Sequence, residues 1–175
     1  MKELHYKILV SDVDGVMNDG KLFIGSDGEE SHKFFHVKDG MGIKLLQKMG
    51  VVFAVISGRG SEPLKGRMDQ LGVKELLMRI YNKEAILKDL LERYDLEPSQ
   101  AVYIGDDIND LSVQTFIKAE GGLFCCPVDA VKQVLDSADI VLSKKGGEGV
   151  LRELIDRLLD NDLPVLAHNV TGRND

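Results

Sequence analysis

Cysteine is nearly absent. Only Cys125 and Cys126 occur in 175 residues, and two adjacent thiols in the apolar run Leu123, Phe124, Cys125, Cys126 cannot form a disulfide framework. They read as packed thiols of a protein kept in a reducing cytoplasm. Histidine is scarce as well, and His5, His32, His36 and His168 lack metal-ligand spacing, so they read as surface or hairpin residues. Long apolar runs are missing too. The start MKELHYKILVSD has no apolar signal region, and no stretch approaches the length that spans a bilayer, so neither export nor a membrane location is expected. Positive charge is in deficit: 22 Lys and Arg stand against 29 Asp and Glu, a formal charge of -7. With no basic run or face, nucleic acid and anionic membranes are not expected partners. The deficit does not exclude an anionic substrate, because clustered carboxylates can hold a cation that in turn holds a phosphate.

What is present suits one folded unit. Hydrophobic residues make up 43% and charged residues 29%, and a chain of this length can bury a core unaided, so residues 1–175 are expected to form a single domain. Four apolar runs end in polar tips: Ile8–Val10, Val51–Ile56, Ala101–Ile104 and Ile140–Leu142. They read as buried parallel strands. Between them, Ile43, Leu45, Leu46 and Met49, and then Ile86, Leu87, Leu90 and Leu91, have the spacing of amphipathic helices. Alternating strands and helices predict an α/β fold with an open, doubly wound parallel sheet. One segment interrupts the pattern. Residues 21–37 carry two β-prone runs around Gly25-Ser26-Asp27-Gly28 and read as a protruding β-hairpin. A hairpin this small needs a surface to pack on, and Leu22, Ile24, Phe34 and Phe35 suggest that it meets other subunits. Residues 164–175 read as a flexible tail.

In an open α/β sheet, ligands bind beyond the carboxyl ends of the strands. Those ends supply Asp12 and Asp14, then Ser57, then Asp106 and Asp107, while Lys83 opens a helix. Four carboxylates, a hydroxyl and an ammonium would converge there. Hard carboxylate oxygens suit Mg²⁺, and a divalent ion lets several of them sit near a phosphate dianion. Asp12 and Asp14, two apart at a strand end, would let one carboxylate attack phosphorus while the other exchanges a proton with the leaving alkoxide. Ser57 and Lys83 would bind the phosphoryl oxygens.

Asp12-Val-Asp14-Gly15-Val, Ile56-Ser57-Gly58-Arg59, Lys83 and Gly105-Asp106-Asp107-Ile-Asn-Asp110 resemble, in order, the four motifs of the haloacid dehalogenase superfamily. The resemblance implies Asp12 as nucleophile and metal ligand, Asp14 as general acid/base and ligand through its carbonyl, Ser57 and Lys83 as phosphoryl binders, and Asp106 as metal ligand. Asp107 and Asp110 would support the metal shell. Over residues 7 to about 160, DVDGVMNDG, HKFFHVKDGMGIKLL, ISGRGSEPLKGRMDQLGV, YIGDDINDL and GGEGVLRELID are similar to 3-deoxy-D-manno-octulosonate 8-phosphate phosphatases. That similarity implies a cytoplasmic enzyme of lipopolysaccharide synthesis with no large cap domain, whose hairpins build a homotetramer in which neighbours partly cover each site.

Ser57, Gly58, Arg59, Arg67 and Lys83 are the expected substrate-binding residues, with Arg59 suited to pair with a substrate carboxylate. The sequence departs from the family at Asn18, at Asn82, and in LLMRIYNKEAIL, which lacks the usual glycine. A phosphatase of nine-carbon acid sugar 9-phosphates, a receiver-like module and a non-catalytic partner domain remain as alternatives. Asp14 argues against the receiver, which must keep its phosphate, since a second carboxylate serves hydrolysis. Gly146-Gly147-Glu148-Gly149 reads as a turn before the last helix in preference to a phosphate loop.

Overall fold

Strands buried on both faces must be apolar throughout, with alternate residues feeding opposite cores. The computed structural model, which describes residues 3–166, shows this pattern four times. The elements run β1 (Ile8–Ser11), β2 (Phe23–Ile24), β3 (Glu30–His32), α1 (Val37–Lys48), β4 (Val52–Ser57), α2 (Glu62–Leu71), β5 (Glu75–Met78), α3 (Lys83–Arg93), β6 (Ala101–Ile104), α4 (Leu111–Ala119), β7 (Leu123–Cys126), α5 (Lys132–Leu135), β8 (Ile140–Val141) and α6 (Val150–Asp160). Six strands form one sheet in the order β5-β4-β1-β6-β7-β8, every pair parallel. The doubly wound sheet expected from the alternation is the one found. It has two more strands than the four apolar runs suggested, because Glu75–Met78 opens on a charge and the apolar run Leu123–Cys126 leads into Pro127-Val128 with no polar tip.

Leu9, Phe53, Val55, Val102, Ile104, Leu123 and Cys125 face the core shared with α1, α2 and α6. Ile8, Val10, Ala54, Ile56, Tyr103, Phe124 and Cys126 face the core shared with α3 and α4. The two cysteines thus point to opposite faces and are both free. Burial pushes the Cys125 thiol well above its usual range and the Cys126 thiol up to about 11, so both are unreactive packing groups. Among the described residues, no helix is long and apolar enough to cross a membrane.

The antiparallel hairpin of β2 and β3 pairs Phe23 with His32 and Ile24 with Glu30. Its turn closes through Gly25 N–H donating to Glu29 O at 2.8 Å. Leu22, Phe23, Ile24 and Phe34 are exposed, whereas Phe35 packs against the core of its own chain. Val37 belongs to α1, whose N-cap is His36. At the other end, Tyr6 donates a hydrogen bond to Pro164 O and Leu166 packs on the core, so residues 164–166 are held in place. His168 and the rest of the expected tail lie outside the described residues.

The glycine-poor stretch has a visible consequence. Arg79 adopts φ +62°, a left-handed conformation in which Cβ crowds the backbone at a cost of about 1–2 kcal/mol. Glycine removes that crowding and returns part of the gain through its looser unfolded state. Arg79→Gly is therefore expected to raise stability by up to about 1 kcal/mol, or about 2–4 °C in a chain of this size. A lowered melting temperature in differential scanning calorimetry would refute the strain.

Candidate active site

Asp12 follows directly on β1, and its N–H donates to Ile104 O of the neighbouring β6 at 3.0 Å, which holds the strand tip beside the next carboxylates. Its side chain is nearly buried. Oδ1 accepts from Val13 N at 2.6 Å, and Oδ2 pairs with Lys83 Nζ at 2.7 Å. Lys83, the first residue of α3, is 1% exposed and also donates to Asp110 Oδ1 at 2.8 Å. Asn82 starts that helix by accepting from Ala85 N at 3.1 Å. This explains why asparagine suffices there: either Asn or Asp provides a capping oxygen.

Asp110 is fully buried and saturated with donors. Oδ1 also accepts from Tyr103 OH at 2.7 Å, while Oδ2 accepts from Asp106 N at 3.1 Å. Asp106 differs: its Oδ1 is buried with no hydrogen-bond partner. Asp12, Asp106 and Asp110 bring carboxylate oxygens within 4.8 Å of one another. Asp107 is not part of this group. Its carboxylate turns outward and accepts from Ile108 N at 2.7 Å, capping the short 3-10 turn Ile108–Asp110. Of the two aspartates after Gly105-Asp106 expected around the metal, the structure places Asp110 inside the cluster and Asp107 at its edge. The three-residue turn rotates the latter away, and the motif alone did not reveal that.

These carboxylates need a cation. Burial, then the charge of Asp110, raises Asp12 to about 7 against the opposing pull of Lys83. Burial, then Asp12 and Asp110, raises Asp106 to about 8. Desolvation pulls Lys83 down, but Asp12 and Asp110 outweigh it and leave its affinity for the proton raised. A hard dication suits a buried, unpartnered carboxylate oxygen beside a second carboxylate, so the donor set fits Mg²⁺. Asp12 and Asp106 are the groups best placed to hold it.

Backbone geometry makes room for this crowding. Gly15 sits at φ +86°, and a Cβ there would overlap the Asp106 carboxylate. A Cβ on Gly105 would likewise overlap Asp110. Gly146 and Gly147 pack on the backbone of Gly15 and Asn18, with Gly147 N donating to Val16 O at 2.9 Å. The glycine-rich turn thus braces the loop after Asp12.

Asp14 stands at the rim. Its Oδ1 accepts from Asn18 Nδ2 at 2.8 Å and from Lys33 Nζ, while Arg59 Nε lies 3.9 Å from Oδ2. Ser57 ends β4, is buried, and accepts from Arg59 N at 3.2 Å. Gly58 follows beside Ile80 O. Arg59 is half exposed at the mouth. Arg67 is not gathered with these groups: its guanidinium lies against Gly40 of α1 and reaches Gln70 at 3.4 Å. Sequence reasoning missed Lys33, Glu30 and Tyr103. A lysine and a glutamate in a polar hairpin look solvated, and Tyr103 looks like any strand residue.

Raised carboxylate pKa values fix the sign of a linkage. Asp12 and Asp106 bind protons more tightly in the metal-free folded state than when unfolded, so they penalise folding increasingly as pH rises from about 4 through 8. A bound dication relieves that penalty and must displace the protons at lower pH. The rise in melting temperature on adding Mg²⁺ should therefore be larger at pH 8 than at pH 6. Equal shifts at both pH values would contradict this coupling.

A scan against models of known protein families finds no match. Similarity to individual proteins is extensive. The chain is 39% identical over 153 residues to 3-deoxy-D-manno-octulosonate 8-phosphate phosphatase KdsC of Haemophilus influenzae, covering 87% of this chain and 82% of that one. It is 35% identical over 158 residues to KdsC of Escherichia coli K12, covering 90% and 81%. Among solved structures, the cobalt-bound Haemophilus influenzae phosphatase superposes with a TM-score of 0.83 at 38% identity, covering 89% of this chain and 88% of that chain. The Moraxella catarrhalis phosphatase, in complex with magnesium, phosphate and KDO, gives 0.82 at 32% identity, covering 89% and 87%. The carboxylate cluster at the strand tips and this similarity over most of the chain agree, and the chain belongs to the 3-deoxy-D-manno-octulosonate 8-phosphate phosphatases of the haloacid dehalogenase superfamily.

Proposed function

We propose that this Mg²⁺-dependent phosphatase hydrolyses 3-deoxy-D-manno-octulosonate 8-phosphate in the cytoplasm, with Asp12 as nucleophile. The observation that carries the reading is the buried pairing of Asp12 with Lys83 at 2.7 Å, beside a second carboxylate, Asp14, two residues on. When bound, Mg²⁺ would neutralise charge on the phosphoryl oxygens and on Asp12 and Asp106. An Asp12 carboxylate oxygen attacks phosphorus, and the bond from phosphorus to the sugar oxygen breaks as Asp14 Oδ2 gives that oxygen a proton. Water then attacks the aspartyl-phosphate. Asp14 Oδ2 takes a proton from it, and the bond between phosphorus and the Asp12 oxygen breaks. Ser57 donates a hydrogen bond to a phosphoryl oxygen, and Lys83 keeps Asp12 oriented while offsetting its charge.

The relatives named above favour the eight-carbon substrate over a nine-carbon one. Arg59, half exposed at the mouth, is the group proposed to pair with the substrate carboxylate. Arg67, on α2 away from the cluster, is proposed to act only from a neighbouring subunit. A homotetramer is proposed through the exposed face of Leu22, Phe23, Ile24, Phe34, Val37 and Met41, which is more apolar surface than a solvated hairpin and helix need. A monodisperse monomer in light scattering would contradict it.

Phosphate release from 3-deoxy-D-manno-octulosonate 8-phosphate, with Mg²⁺ or with EDTA, tests the activity. Asp12→Asn should remove nearly all turnover while the protein stays folded; near-normal activity would overturn the mechanism. Arg59→Ala should lower kcat/KM for the acid sugar phosphate by about 10- to 100-fold, the scale of a charge-assisted pair. The loss on p-nitrophenyl phosphate, which has no carboxylate, should be much smaller. Equal losses would remove Arg59 from the carboxylate's site.

A further inference from the structure

Lys33 belongs to the stem of an exposed hairpin, where a lysine ordinarily extends into water. Its side chain is instead 1% exposed. Nζ reaches Asp14 Oδ1 on one side and Glu30 Oε1 on the other, the latter at 2.7 Å with the Glu30 side chain only 4% exposed. Neither Glu30 oxygen has a hydrogen-bond partner among the described residues, so Oε1 meets Lys33 as an ion pair. Burying an ammonium and a carboxylate costs several kcal/mol per ion before their attraction is counted, and a hairpin needing only a fastener to the domain would be better served by apolar contacts such as that of Phe35. The hydrogen-bond partner that Lys33 reaches outside the hairpin is Asp14.

The geometry points to Lys33 as a positioning residue for the reaction, fixing which Asp14 oxygen exchanges the proton. Asn18 Nδ2 and Lys33 Nζ both occupy Oδ1. Among the described residues, Oδ2 meets only Arg59 Nε, at 3.9 Å and beyond hydrogen-bond reach. With Oδ1 saturated by two donors, the carboxylate cannot spin, and Oδ2 is the oxygen left to pass a proton to the leaving sugar alkoxide and later take one from water. Asn18 alone would hold Oδ1 through one neutral contact. Lys33 adds a charge-assisted one, anchored in turn by Glu30, so the hairpin stem orients the general acid. This inference rests on the phosphatase reading and adds a residue that acts only through Asp14.

Proton delivery matters for an alkoxide leaving group and little for p-nitrophenolate, which departs without a proton. The test compares kcat/KM, which covers binding and the first displacement, for 3-deoxy-D-manno-octulosonate 8-phosphate and p-nitrophenyl phosphate with Mg²⁺. Lys33→Met is expected to lower the value for the sugar acid phosphate by about 10- to 100-fold, within the range of general acid catalysis, and to lower the p-nitrophenyl phosphate value at least tenfold less. Because Lys33→Met strands Glu30 as a buried lone charge, the double variant Glu30→Leu with Lys33→Met is measured alongside. Removing both partners of a buried pair is often close to neutral for folding, so the double variant should melt near wild type and keep the same substrate bias. Equal losses on both substrates in the double variant would overturn the inference by showing a structural role. Wild-type values on both substrates would overturn it as well. A wild-type enzyme inert on both substrates would instead refute the phosphatase reading itself.

Discussion

The site depends on one buried ammonium. Lys83 holds Asp12 at 2.7 Å and Asp110 at 2.8 Å, and without it three carboxylates with oxygens inside 4.8 Å would repel one another in a medium that screens poorly. A single charge does not balance three. The deficit shows in the raised proton affinities of Asp12 and Asp106, and it makes the cluster a receptor for a dication. Nearby elements serve this arrangement: β1 and β6 bring Asp12 and Asp106 side by side, Tyr103 and two backbone amides satisfy Asp110, and α3 starts where its first side chain can enter the cluster.

Close approach of so many oxygens is possible only where the backbone lacks side chains. Gly15 and Gly105 each occupy a position where a Cβ would overlap a carboxylate of the cluster. Gly146 and Gly147 let a second loop lie directly on the backbone of the first. The turn expected there has a mechanical role: Gly147 holds Val16 O, Gly146 N donates to Asp129 Oδ1 at 3.0 Å, and α6 is tied back to α1 by Asp39 Oδ1 accepting from Arg152 N at 2.7 Å.

The central strands could be read from the sequence because burial on both faces demands uninterrupted apolar runs, and Val10, Ile56 and Ile104 each lead straight into a polar tip. The edge strand Glu75–Met78 could not, since it is half-buried and begins with a charge paired to Arg93 and Tyr94. Within the site, Asp12, Ser57, Lys83 and Asp106 were legible from residue type and order. Asp107 and Asp110 were separable only by the 3-10 turn, a matter of backbone rotation over three residues. Burial of Lys33 and Glu30 had no local signature either: it arises from how the hairpin stem crosses the loop after Asp12, a contact between residues 19 apart in the chain.

That crossing links two properties that otherwise look unrelated. The hairpin presents Leu22, Phe23, Ile24 and Phe34 outward, while its stem carries the Glu30–Lys33 pair inward to the rim of the site. Apolar residues at the stem would fasten it equally well, but they could not hold a carboxylate oxygen. In some proteins buried ions are retained because they fix one arrangement among several, and the arrangement proposed for them here is the orientation of Asp14. In the homotetramer proposed above, a partner on the exposed hairpin would bear on residues 30–35, the same short segment that carries Lys33 and that ends at Phe35 packed on the core.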